Sequence, residues 1–183
     1  MTLATTYRRQ LHEQAIGQYG YITTRDAEQL GVPDWAVRQL AARGGLTRRG
    51  YGVYRFDDVP ATDNDEFMEA VLAAGEGAHL VGDAVLALHG LADVNPARIR
   101  VGTARRARMK VPKTIEIVPR RDPPEDLTVY EGIPATTVAR AIRDARGIVM
   151  NERLVAAAKD AANRGLLRRR ETDEVLTELG ATR

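Results

Sequence analysis

A chain of 183 residues falls between one domain and two, and 44% apolar with 28% charged residues excludes a wholly disordered protein. The absence of cysteine excludes a disulfide framework, a thiolate zinc site and a cysteine nucleophile, and fits a reducing compartment. No run approaches the ~18 apolar residues of a membrane span, and nothing at the N-terminus reads as a secretory signal. The expectation is a soluble cytoplasmic protein with no membrane partner. The net charge of +2 hides strong segmentation: residues 1–59 carry 8 Arg against 6 acids, 60–97 carry 7 acids and no Lys or Arg, 98–121 carry 9 basic residues against Glu116, and 122–183 carry 10 against 11. An acidic block directly before a basic one points to intramolecular pairing or to two faces with different partners.

Taken in chain order, residues 4–18 place Leu11, Ala15, Ile16 and Tyr19 at helical spacing. Gly20 stops this helix and Tyr21-Ile22 form a short extended piece. Thr23 or Thr24 caps a second helix with Asp26 and Glu28 in its first turns, ended by Gly31 with Pro33 just beyond. Asp34 is a suitable cap for a third helix from Trp35 to about Arg43, closed by Gly44-Gly45. Leu46–Arg49, a turn at Gly50, and Tyr51–Phe56 read as a two-stranded hairpin. Three helices and a hairpin within 56 residues are the layout of a winged helix-turn-helix, here given residues 1–58. A polar linker through Asp63 leads to an α+β remainder, residues 64–183. Its expected elements are helices at 65–74 and 83–89, short strands at 79–81, 98–101, 114–118 and 127–130, a helix capped by Thr136 or Thr137, and helices at 151–164 and 171–179.

On a helical wheel the third helix gathers Ala36, Val37, Leu40 and Ala41 on one side, and Trp35, Arg38, Gln39 and Ala42 on the other. An exposed Trp-x-x-Arg-Gln face suits a recognition helix on double-stranded DNA. Arg38 can reach guanine O6/N7, Gln39 can pair with adenine N6/N7, and Trp35 can pack on thymine methyls or sugars. Arg48 and Arg49 at the wing suit a flanking phosphate or minor groove, and Thr24 and Arg25 can offer helix amides to a phosphate. Arg43 and Tyr51 complete the candidate DNA-contacting set. The competing readings are a winged helix used as a protein-interaction module, and a Trp35 half-buried in the core.

The run GYITTRDAEQLGVPDWAVRQLAARGGLTRRGYGVYRF resembles the N-terminal domain of AbiEi-type antitoxins, with Arg49, Gly50, Val53 and Tyr54 carrying the wing ending and Tyr51-Gly52 looking like a two-residue insertion. Further along, Leu88-His89-Gly90-Leu91 and the Gly132, Pro134, Thr136, Arg140, Asp144 pattern resemble later stretches of that family; Gly82-Asp83 departs from it, where a serine-like cap is expected. The resemblance implies an antitoxin whose winged helix represses its own promoter at inverted repeats. It also implies a mixed α/β C-terminal antitoxin domain and an AbiEii-type nucleotidyltransferase toxin as partner. The alternatives are a module that neutralises the toxin by direct binding, and a plain transcriptional regulator without a toxin.

No catalytic set emerges. His12, His79 and His89 lack metal-ligand spacing, and no phosphate-loop motif occurs, so neither metal nor cofactor is expected. A restriction-type nuclease wants a strand Glu-x-Lys for its metal, and Glu116-Ile117-Val118 lacks the lysine. The chain is therefore expected not to be an enzyme. His89 reads as a satisfied structural histidine, and Arg140 and Asp144 as an i,i+4 ion pair. The basic residues Arg105, Arg106, Arg108, Lys110, Arg120 and Arg121 are open between a solvated loop, a second phosphate-contacting surface, and a docking surface for an acidic toxin or a tRNA-like substrate.

Overall fold

The computed structural model describes residues 3–104 and 111–181, so Arg105, Arg106, Arg108 and Lys110 lie outside the described residues. The fold is α+β, and the chain divides into two compact units at Glu76/Gly77.

The first unit opens with α1 (Leu3–Ile16), followed by β1 (Tyr21–Thr23), α2 (Thr24–Gln29) and α3 (Asp34–Ala42). The wing is β2 (Leu46–Gly50) and β3 (Val53–Phe56). A capping box fixes the start of α2: the Thr23 hydroxyl accepts from the Asp26 amide at 3.1 Å, and the Asp26 carboxylate accepts from the Thr23 amide at 2.7 Å. The cap is thus Thr23 and not Thr24. Asp34 does not cap α3 either. Pro33 takes the extended N-cap position, because its ring holds φ at −69°, and Asp34 becomes the first helical residue. The extended piece at Tyr21 pairs antiparallel with β3, so the expected two-stranded hairpin is a three-stranded sheet ordered β1-β3-β2. The helices close over one face of it. Leu11, Ile22, Val37 and Phe56 are essentially inaccessible to water and bury the apolar side of each element in one core.

The wing turn also differs from expectation. Gly50 lies within β2, next to a register irregularity at Arg48/Gly50, and the chain reverses at Tyr51-Gly52. Gly52 has φ +67°, and a Cβ there would stand 2.9 Å from the Thr24 hydroxyl. Only glycine allows both the left-handed backbone and that approach. The apparent two-residue insertion is the turn itself.

The unit does not stop at residue 58. Asp58 pairs with Arg8 (2.7 Å) and His12 (3.2 Å), Thr47 donates to Asp57 (2.7 Å), and Val59 packs on the core. Then α4 (Asp65–Ala74) packs against β1 and β3. Arg55 donates through two nitrogens to Asp65 (3.1 and 2.7 Å), and its guanidinium lies over the Tyr21 ring, 5.6 Å from the centroid. The stretch that reads as a linker is tied down by these contacts, and the helix after it belongs with the winged helix.

The second unit holds β4 (His79–Leu80), α5 (Asp83–Leu88), β5 (Ile99–Thr103), β6 (Ile115–Pro119), β7 (Leu127–Tyr130), β8 (Ile133–Thr136), α6 (Val138–Asp144), α7 (Asn151–Asn163) and α8 (Arg169–Glu178). Its five-stranded mixed sheet is ordered β6-β5-β4-β8-β7. Strand β8 was not expected. Pro134 disguises it, yet the chain pairs there with both β4 and β7, and Thr137, one residue past its end, caps α6.

Buried charge organises one end of this sheet. Asp122, whose carboxylate is fully buried, contacts His79 (2.8 Å), Arg120 and Arg140 (3.5 Å). Arg120 also reaches Asp144 (2.7 Å), and Arg140 reaches Asp126 (2.7 Å) and Asp144 (3.0 Å). Gly102 gives this network room, since a Cβ there would meet His79 Nε2 at 2.8 Å. Burial pushes the Asp122 carboxyl up, but its hydrogen bonds from Arg120 and His79 outweigh that and hold it below the usual carboxylate range. Arg120 is therefore an internal residue and not part of a free basic surface, whereas Arg121 is exposed. The expected Arg140–Asp144 pair is present as one edge of a larger network.

His89 is buried at the end of α5, its ring 4.0 Å from that of Tyr130. Among the described residues its Nδ1 has no hydrogen-bond partner, so the ring is buried without a bond at that nitrogen. Burial, reinforced by the Arg164 charge, lowers its pKa to about 4.

Candidate nucleic-acid interface

The candidate interface is built on α3. Its inner side buries Ala36 and Val37, with Leu40 and Ala41 half-buried against the same core. Helical geometry then forces Trp35, Arg38, Gln39 and Ala42 outward, and all four are exposed. Trp35 is 59% accessible, too much for a core residue. It is braced edge-on by Tyr7 of α1, with ring centroids 6.4 Å apart.

All nine sequence-derived candidates are exposed: Thr24, Arg25, Trp35, Arg38, Gln39, Arg43, Arg48, Arg49 and Tyr51. They are not equally available. Arg38 is paired with Asp34 one turn earlier, and both remain largely in water. Arg43 ends α3 and has no ion-pair partner among the described residues. Past Leu46, the edge strand β2 shows three consecutive exposed side chains, Thr47, Arg48 and Arg49. Among the described residues Arg48 bonds its own turn, donating from Nε to the Gly50 carbonyl at 3.1 Å. Tyr51 stands at the tip, 67% accessible.

Three positions depart from their expected roles. The Thr24 amide donates to the Gly52 carbonyl at 2.9 Å, and the Asp26 amide is taken by the Thr23 cap. The start of α2 therefore holds the wing and does not present a set of free amides to a phosphate. Arg49 donates from Nε to Glu69 of α4 at 3.0 Å. Glu69 also accepts the Tyr21 hydroxyl at 2.7 Å, which together with burial of the ring pushes the Tyr21 pKa far up. Arg25 similarly pairs with Glu76 at 3.1 Å.

Sequence reasoning missed Asp65, Glu69 and Glu76 as parts of this surface. The available signal was the acidic block itself: seven carboxylates without a local cation must find arginines elsewhere. Three of them pair with Arg55, Arg49 and Arg25, while Asp83 lies 3.8 Å from Arg100. Three acids of the block are thus paired with arginines of the winged helix.

A three-stranded sheet, a helix-turn-helix and an outward-facing third helix define the first unit as a winged helix-turn-helix. Residues 9–56, from within α1 to the end of β3, match the family model described as a transcriptional regulator, AbiEi antitoxin. The likeness read from the sequence is thus present in the winged helix, which is of the kind found in antitoxin regulators. Among solved structures, the RV2827C protein from Mycobacterium tuberculosis is similar at a TM-score of 0.49 and 16% identity, over 94% of this chain and 71% of that one. No curated protein matches. Among the described residues, no helix is long and apolar enough to cross a membrane.

Proposed function

We propose that this chain is a DNA-binding antitoxin regulator that represses its own promoter. In this reading α3 enters the major groove of an inverted repeat, and the protein acts in the cytoplasm by binding and not by catalysis. The observation that carries it is the outward Trp35-Arg38-Gln39 face above a buried Ala36-Val37 floor. A planar cation, an amide and an aromatic ring on one helix face are the groups that read guanine, adenine and thymine edges. Arg43, Arg48 and Tyr51 extend that surface with groups suited to phosphate and sugar.

The family match supports a regulator of antitoxin type; an AbiEii-type nucleotidyltransferase is the partner we propose, on the resemblance read from the sequence. A second reading, direct capture of the toxin by the second unit, has one observation in its favour. Edge strand β7 leaves Leu127 and Val129 exposed, where most apolar side chains of that unit are buried.

The test is a mobility-shift titration on the DNA upstream of the gene across salt. With about six phosphates contacted, affinity falls roughly 10³-fold between about 50 and 200 mM salt. Absence of a shift at low salt refutes the DNA-binding reading. Recovery of a toxin on residues 77–183 alone favours direct capture.

A further inference from the structure

Of the arginines that the sequence places to hold DNA phosphates outside α3, Arg25 and Arg49 are already on carboxylates. Those carboxylates come from α4 and the residues just past it. Asp65 and Glu69 lie four apart and share one face of α4. Asp65 pins that face to β3 through Arg55, in a pair only 15% and 14% exposed. Glu69, 18% exposed, is held by the Tyr21 hydroxyl, whereas its other partner, Arg49, is 48% exposed. Arg25 and Glu76 are both about half in water. In each pair the cation is accessible to a competing anion, and at Glu69 the carboxylate is fixed from behind by a second donor.

A carboxylate and a phosphate oxygen offer a guanidinium the same charge-assisted hydrogen bonds. An arginine that stays on its carboxylate releases no DNA counterion and adds nothing to sequence-independent affinity. We propose that Glu69 and Glu76 are built-in competitors for DNA phosphate, withholding Arg49 and Arg25 so that binding rests on the α3 face. This inference depends on the DNA-binding reading above and concerns the regulation of the same surface. It also accounts for an acidic block that pairs back onto the winged helix. By suppressing contacts common to every sequence, the block raises the share of affinity that base contacts decide.

The test uses the full chain as wild type, Glu69→Gln, Glu76→Gln, Arg49→Ala and the Arg49→Ala/Glu69→Gln double variant. Each is titrated against its upstream DNA and against a random duplex of equal length, across salt. Gln at 69 can still accept the Tyr21 hydroxyl, and thermal melts report whether each variant folds. Glu69→Gln is expected to bind both duplexes about threefold to fivefold more tightly. The magnitude of its log–log salt slope should rise by about 0.9, the mark of one added phosphate contact. The gain should vanish in the Arg49→Ala background. Unchanged or weaker binding by Glu69→Gln overturns the proposal, and so does a gain that survives without Arg49. Should Glu69→Gln fail to fold, Glu76→Gln decides: a similar gain supports the proposal and no gain overturns it. Failure of the wild type to bind any duplex would instead refute the DNA-binding reading itself.

Discussion

Arg38 and His89 illustrate two ways in which one side chain acquires meaning from its surroundings. Arg38 is 72% exposed and leans on Asp34, a contact in water that costs little to exchange for a base edge. The Asp34 carboxylate fixes the arm before DNA arrives and would repel a phosphate that displaced it. His89 is the opposite case, a buried titratable ring with no hydrogen-bond partner at Nδ1 among the described residues. Its pKa is lowered to about 4, by burial first and the Arg164 charge second. The unfolded chain therefore takes up this proton near a pKa of about 6.5, while the native state resists it until about 4. Stability present above pH 6.5 is lost progressively as pH falls through that window. His89→Phe, which keeps an aromatic ring against Tyr130, should flatten the fall in melting temperature between about pH 6.5 and 4. An unchanged slope in that variant would show that His89 does not drive it.

At the scale of elements, charge is placed where the chain changes direction. The fully buried Asp122 carboxylate collects His79 of β4, Arg120 just past β6 and Arg140 of α6. Removing it takes the buried carboxylate from His79 and Arg120, while Arg120 keeps Asp144 and Arg140 keeps Asp126 and Asp144. Asp122→Ala should destabilise the protein by about 3–5 kcal/mol in chemical denaturation. Its DNA affinity measured below the transition should stay unchanged, and a small stability loss would mean that Asp126 and Asp144 suffice as partners. These contacts also explain what was legible in advance. Helix periodicity and glycine stops located α1 to α4 and the outward face of α3, because local spacing dictates which side is buried. The i,i+4 pair Arg140–Asp144 was visible for the same reason. Asp122 and Glu69 were not, since His79 lies 43 residues from the one and Arg49 20 residues from the other, and no local pattern links them. Strand β8 is hidden by Pro134, and Gly50 and Gly52 are told apart as the wing turn by the contact of Gly52 with Thr24.

For the whole molecule, a chain of net charge +2 is close to neutral, so affinity for DNA cannot come from bulk attraction. Several arginines of the winged helix are paired with carboxylates, and of the candidate contacts Arg43 and Arg48 are the arginines without an ion pair among the described residues, beside exposed Trp35, Gln39 and Tyr51, with Arg38 on an exchangeable partner. The central claim is that α3 reads sequence while the wing positions the protein. Equilibrium binding of the wild type, Arg38→Ala and Arg48→Ala to the upstream DNA and to a random duplex tests it most directly. Loss of Arg38 should cost about 1–3 kcal/mol on the upstream DNA and little on the random duplex, so that discrimination collapses. Loss of Arg48 should weaken both duplexes equally and lower the magnitude of the salt slope by about 0.9. Equal losses on the two duplexes for Arg38→Ala would contradict the account, because α3 would then be no more than another phosphate contact.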